Sequence, residues 1–248
     1  EKGIRDPAIY RAVLEAVAQG NTGTHGIAQA AGLQGQDTVA RRALETLENL
    51  ELVRRERNFG AGSRAPWRNR VADHAVRFWY QFVSANRSRL ETGGADQVWR
   101  HHIEPHLDTY MGKVFETICA EGYRRHHARW NLPSASNWAR WEGQDRNRRS
   151  IEIDIVAELD DGQMLAGEIK WSSSPVDVDV HFKLLRNLED LGHSGQGWAN
   201  AALNAAESHG YIYFSAGGFT DAFQARAAED ERIFLVTLED LYGESRDH

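Results

Sequence analysis

The sequence predicts a mixed α/β (α+β) protein, with a small helical unit closed by a β-hairpin followed by an α/β sandwich. Three observations carry that expectation. Apolar residues recur at helical spacing through the first fifty positions, then give way to a glycine-tipped pair of short strand-like runs. Two aliphatic runs, Ile151–Val156 and Met164–Trp171, flank Asp160-Asp161-Gly162, a strong hairpin signal. From residue 107 onward the pattern reads helix, three strands, helix, strand, helix, strand.

Composition bounds the function. The chain has 248 residues, 41% of them hydrophobic, which is room for two modest domains with cores of their own. The single cysteine, Cys119, excludes an internal disulfide and a cysteine-rich zinc site, and points to a cytoplasmic setting. No apolar run reaches membrane-spanning length, so no membrane partner is expected, and Glu1-Lys2-Gly3 has no signal-peptide pattern. A chain that does not begin with Met is expected to be a fragment of something longer. Net charge is -7 but uneven: residues 1–110 hold 15 basic and 13 acidic side chains, residues 111–248 hold 14 and 23. The N-terminal part is therefore the better nucleic-acid surface.

Residues 1–72 read as a winged helix-turn-helix. Asp6-Pro7 caps and starts a helix with Ile9, Tyr10, Val13, Leu14 and Val17 on one stripe, ended by Gly20-Asn21. Thr24 opens a short helix, and a third runs from about Gln36 to Asn49. The third buries Val39, Ala43, Leu44, Leu47 and Leu50 and shows Arg41 and Arg42 outward, as a recognition helix would. Leu52–Arg57, a Gly60–Ser63 tip and Trp67–Val71 form the wing, where Arg54, Arg55, Arg57, Arg64, Arg68 and Arg70 stand against Glu56 alone. These arginines suit DNA phosphates and the minor groove; winged helices also serve as protein–protein modules, and both readings stand at this point.

Residues 73–106 form a helical connector. Val76, Phe78, Trp79, Phe82 and Val83 suit core or docking, and a further helix spans about Ala95–Leu107. His102 and His106 have the four-residue spacing of a zinc pair, without an evident third ligand. The third part, 107–248, opens with a helix over Tyr110–His126 and a first strand at Trp138–Glu142. It continues, after the central hairpin, with a helix at Val176–Leu191, an Ala-rich segment at Trp198–Ser208, a strand at Tyr211–Ser215, a helix at Thr220–Ala228 and a strand at Ile233–Thr237.

Within the hairpin, strand alternation sends Ile151, Ile153 and Ile155 one way and Glu152 and Asp154 the other, while Glu168 and Lys170 share a face. Joined in register, they bring an Asp, a Glu and a Lys together. Two hard carboxylates suit Mg²⁺ or Mn²⁺ better than a softer metal. Such an ion polarises a phosphodiester and lowers the pKa of a bound water, with the ammonium orienting the attacking water. Charges of these types are also common on the solvent face of an ordinary hairpin.

Asp154 with Glu168-Ile169-Lys170 resembles the active-site signature of the PD-(D/E)XK nucleases, the restriction-endonuclease-like fold with a mixed central sheet. More narrowly, Tyr110–Glu116, Glu152–Ala157 and Gly167–Trp171, with Ala72–His74, Arg77–Val83 and Asn86–Ser88 upstream, resemble the nuclease-like C-terminal domain attached to archaeal-type P-loop ATPases. The resemblance implies a metal-dependent DNA endonuclease, on double-stranded DNA for preference. In it Asp154 and Glu168 ligate Mg²⁺ or Mn²⁺, Lys170 positions or activates water, and Glu116 on the first core helix is a further metal ligand, with Glu152 as a secondary candidate. It also implies an ATPase domain upstream or as a separate partner. This chain has no G-x-x-x-x-G-K-[ST] of its own. The rival readings are a non-catalytic DNA-binding or regulatory module of an ATPase, and an RNase.

Overall fold

The computed structural model describes residues 6–205 and 210–243. The chain divides into two compact units, Glu1–Arg57 with Ala61–Leu107 and Asn58–Gly60 with Asp108–His248. The first unit holds helices α1 (Pro7–Ala18), α2 (Thr24–Ala30) and α3 (Asp37–Asn49), then an antiparallel hairpin of β1 (Val53–Glu56) and β2 (Arg68–Val71). Helix α1 starts where it does because the Asp6 carboxylate accepts the Ala8 N–H at 3.1 Å and Pro7 occupies the first turn. Val13, Leu14 and Val17 of α1 meet Ile27, Ala43, Leu44 and Leu47, and Val53 and Val71 close the core beneath the hairpin. Leu50, expected on the buried stripe, is 49% exposed, because α3 ends one residue before it and the chain turns at Glu51 with φ 57°.

Residues 74–103 are helical in short pieces: α4 (His74–Phe78), a π-helical turn at Trp79–Val83, a 3₁₀ turn at Ser84–Asn86, α5 (Arg87–Glu91), α6 (Ala95–Val98) and a second π-helical turn at Trp99–Ile103. The last runs directly into α7 (Glu104–His126), so the expected separate helices over 95–107 and 110–126 are one continuous helical run from Ala95.

The second unit is built on a five-stranded mixed sheet in the order β3 (Ala135–Gln144), β4 (Ser150–Leu159), β5 (Met164–Lys170), β6 (Tyr211–Ser215), β7 (Ile233–Thr237). The first three strands are antiparallel neighbours, and β5, β6 and β7 run parallel. Helix α7 covers one face with Phe115, Cys119 and Tyr123 against Ile155, Leu165, Ile212 and Phe214. The other face is covered by α8 (Asp179–His193), α9 (Gly197–Leu203) and α10 (Asp221–Glu229), with Leu184, Leu188, Ala199 and Phe223 in one cluster. Burying a leucine such as Leu184 or Leu188 in full stabilises by about 1.5–3 kcal/mol, so this packing sets where α8 lies. Phe59, between the two hairpin strands in sequence, belongs to this same cluster, and its N–H donates to the Arg140 carbonyl at 2.8 Å.

The expected turn is present. Gly162 adopts φ 81°, its N–H donates to the Leu159 carbonyl, and Asp161 accepts the Gln163 N–H. Helix α11 (Leu238–Tyr242) was not anticipated, although Thr237 and Asp240 form a capping box that the sequence spells out. Positions 206–208 of the expected Ala-rich segment lie outside the described residues.

Candidate active site

The site begins with an irregularity in β4. Ala139 pairs with Val156 and Trp141 with Ile153, so Asp154 and Ile155 together oppose Arg140 in a β-bulge. The bulge reverses the alternation. Ile151 and Ile153 enter the core under α8, whereas Ile155 enters the core under α7, which corrects the expectation of one face for all three. It also re-aims Asp154. Pairing of β4 with β5 runs from Glu158 opposite Met164 to Ile155 opposite Gly167. Past that point the Ile169 N–H donates to Asp154 Oδ2 at 3.0 Å, so a side chain satisfies a backbone donor where the two strands part.

Lys170 lies in that fork, its Nζ donating to Asp154 Oδ2 at 3.3 Å and to Glu168 Oε2 at 2.5 Å. The two carboxylate side chains are 14% and 12% exposed. Burial, followed by the charge of Asp154, pushes the Glu168 carboxyl up to about 7 even though Lys170 pulls the other way. Burial alone would lower the Lys170 ammonium, but Glu168 and Asp154 outweigh it and hold it above its ordinary value. One ammonium thus leaves two buried carboxylates undercompensated, an arrangement that a hard divalent cation would relieve.

These groups line a cavity of about 310 Å³ that also receives Gly112, Lys113 and Glu116 from α7, Glu152 from β4 and Lys183 from α8. Glu116 is tied to Lys113 Nζ at 2.6 Å, and Glu152 is paired with Arg140. Among the described residues no group of three or more His, Cys, Asp or Glu side chains is placed to hold a metal ion. Glu116 therefore shares the cavity with Asp154 and Glu168 without forming a closed ligand set. Donors from two carboxylates, completed by water and phosphate oxygens, fit Mg²⁺ or Mn²⁺, which keep much of their hydration, and do not fit a structural zinc cage.

Residues 79–181 match the DUF234 family. The family is described as archaea bacterial proteins of unknown function. No curated protein and no solved structure matches the chain. The DUF234 match includes Glu116, Glu152, Asp154, Glu168 and Lys170 and stops two residues before Lys183.

The arginines of the first unit separate into two groups. Arg41 and Arg42 on α3 and Arg64 beyond β1 are exposed. Arg54 and Arg70 both pair with Glu56, at 2.8 and 2.6 Å, and Arg55 pairs with Glu48 at 2.9 Å. Arg57 lies 3.6 Å over the Trp67 ring, and Arg68 stands opposite Glu56 in the hairpin register. Glu48, on the end of α3, is the neutralising partner that counting charges along the wing alone missed. His102 Nε2 is bonded to Arg89 Nη1 at 2.6 Å, and among the described residues His102 and His106 belong to no group of three or more His, Cys, Asp or Glu side chains that could hold a metal ion. No helix among the described residues is long and apolar enough to cross a membrane.

Proposed function

We propose that this protein is a metal-dependent nuclease that hydrolyses phosphodiester bonds, with DNA as the favoured substrate. The observation that carries the reading is the Asp154–Lys170–Glu168 cluster at the parting of two strands, on the rim of a cavity large enough for a phosphodiester. Asp154 and Glu168 would hold Mg²⁺ or Mn²⁺, which when bound supplies Lewis-acid polarisation of the phosphate and offsets the developing charge. Lys170, already within hydrogen-bond reach of both carboxylates, would orient the attacking water and hold a proton at Nζ. Glu116, across the cavity, would order water rather than bind the ion directly. Arg41, Arg42 and Arg64 would meet backbone phosphates. The likeness of the motifs to PD-(D/E)XK nuclease-like domains of archaeal-type ATPases supports the same reading, and makes a P-loop ATPase the expected partner.

A second reading is favoured by one observation. Lys170 spans both carboxylates as an internal ion pair, which a non-catalytic scaffold of a DNA-binding module would also display. Cleavage of supercoiled, linear and single-stranded DNA, with an RNA control, separates the two when run in Mg²⁺, Mn²⁺ and EDTA. Metal-dependent cutting that disappears in Lys170→Ala is the expected result, and the RNA lane decides between DNase and RNase. Absence of any cutting with DNA binding retained would sink the nuclease reading in favour of the scaffold.

A further inference from the structure

The cavity contains a cation that stands outside its direct ion pairs. Each of its carboxylates has an identified basic partner: Glu116 has Lys113, Glu152 has Arg140, and Asp154 and Glu168 share Lys170. Lys183 lines the same cavity and, among the described residues, makes no ion pair and no side-chain hydrogen bond. Its position is fixed all the same. The next residue, Leu184, and Leu188 one turn on are fully buried against the sheet, and His181 two residues earlier is bonded to the Tyr213 hydroxyl at 2.7 Å. The backbone of α8 therefore holds an exposed ammonium at the side of the cavity opposite α7, with only its own flexible stem left to adjust.

We propose that Lys183 is the substrate-phosphate contact of this cavity, binding a non-bridging oxygen of a nucleic-acid backbone phosphate while Lys170 stays with the carboxylates. A lysine at such a place offers a point charge with three donors, suited to a phosphate that must slide into position rather than be gripped in a planar fork. The four carboxylates around it would repel any anion that lacked such a partner. The nearness of Lys183 to Glu168, whose carboxyl it pulls downward, places its charge within reach of the reacting region. The identity of the substrate rests on the nuclease reading above; the contact itself does not.

The test uses the full chain, a short single-stranded thymidylate oligonucleotide and Ca²⁺ in place of a metal that supports cutting, with Mn²⁺ titration run in parallel. For Lys183→Gln the expected result is an oligonucleotide affinity about five- to tenfold weaker, and a slope of log K against log salt smaller by about 0.7, the share of one phosphate on a single strand. Mn²⁺ affinity should be unchanged or slightly higher, and Lys183→Arg should recover most of the binding. An oligonucleotide affinity and salt slope equal to wild type in Lys183→Gln would overturn the proposal, as would wild-type protein that fails to bind the oligonucleotide. A wild-type protein that binds metal and oligonucleotide but never cuts would remove the nuclease reading and leave the phosphate contact to stand on the variant comparison.

Discussion

At the scale of single residues, Lys170 and the carboxylates it joins oppose one another in a measurable way. An ammonium 3.3 Å from Asp154 and 2.5 Å from Glu168 occupies space and charge that a divalent ion would use. Removing it should therefore help metal binding and harm turnover. We expect Lys170→Ala to bind Mn²⁺ at least as tightly as wild type while cleavage falls by about 10²-fold or more, the usual scale for losing a positioned proton-transfer group. Asp154→Ala should lose Mn²⁺ binding, because it removes one of two carboxylate donors and also strips the Ile169 N–H of its acceptor. Calorimetric titration of both variants checks this; a Lys170→Ala protein that binds Mn²⁺ more weakly would mean that the lysine organises the donors instead of competing for them.

At the scale of elements, the parting of β4 and β5 depends on how tightly β5 is held on its other edge. Gly167 makes that close approach: a Cβ built there would fall 2.0 Å from the Ile212 carbonyl oxygen on β6, and backbone cannot swing aside. Gly167→Ala should cost about 3 kcal/mol of stability, read as a shift in urea midpoint, with Asp154 and Glu168 misplaced in what still folds. A midpoint unchanged within error would show that the strands separate more easily than the packing implies. In the first unit, α3 and the hairpin divide the arginines by partner. Arg41 and Arg42 face solvent whereas Arg55 and Arg70 are held by Glu48 and Glu56, so Arg41→Ala with Arg42→Ala should weaken DNA binding more than Arg55→Ala with Arg70→Ala, measured by fluorescence anisotropy at one salt concentration. These elements also show what a sequence can and cannot disclose. Apolar periodicity found α1, α3, β6 and β7 to within a residue or so, because burial of one stripe or one run is written in residue type. The meeting of Asp154, Glu168 and Lys170 followed from a hairpin with a recognisable turn. The bulge at Asp154 left no mark, since an extra residue in one strand is set by how β3 pairs across it. Nor did the sequence disclose Arg140 and Glu48 as the partners of Glu152 and Arg55, because ion pairs between separate elements depend on packing; the Lys113–Glu116 pair, three residues apart on α7, was by contrast legible from helical spacing.

At the scale of the whole molecule, stability and metal binding should be coupled through pH by two buried groups acting in opposite directions. His181, enclosed by Tyr211, Tyr213 and Phe223, is lowered to about 4, chiefly by burial and next by the charge of Arg226. Because the unfolded chain takes up that proton near the ordinary value of 6.5 while the native state refuses it, this contribution is fully present above about 6.5 and is lost as pH falls toward about 4. Glu168 behaves oppositely. Its carboxyl, pushed up to about 7 from 4.5, keeps its proton longer in the native state, so the metal-free protein loses stability as pH rises through that window. A divalent ion at Asp154 and Glu168 requires the carboxylate form, and its binding should release a proton below about pH 7 and none well above it. Added Mn²⁺ should accordingly raise the melting temperature more at pH 7.5 than at pH 5.5, since a ligand stabilises in proportion to the logarithm of its concentration over its dissociation constant, and that constant worsens as Glu168 protonates. In His181→Gln the acid-side loss of stability should shrink while the Mn²⁺ effect keeps its pH dependence. In Glu168→Gln the Mn²⁺ effect should vanish at both pH values, and a melting temperature still raised by Mn²⁺ in that variant would place the ion elsewhere on the protein.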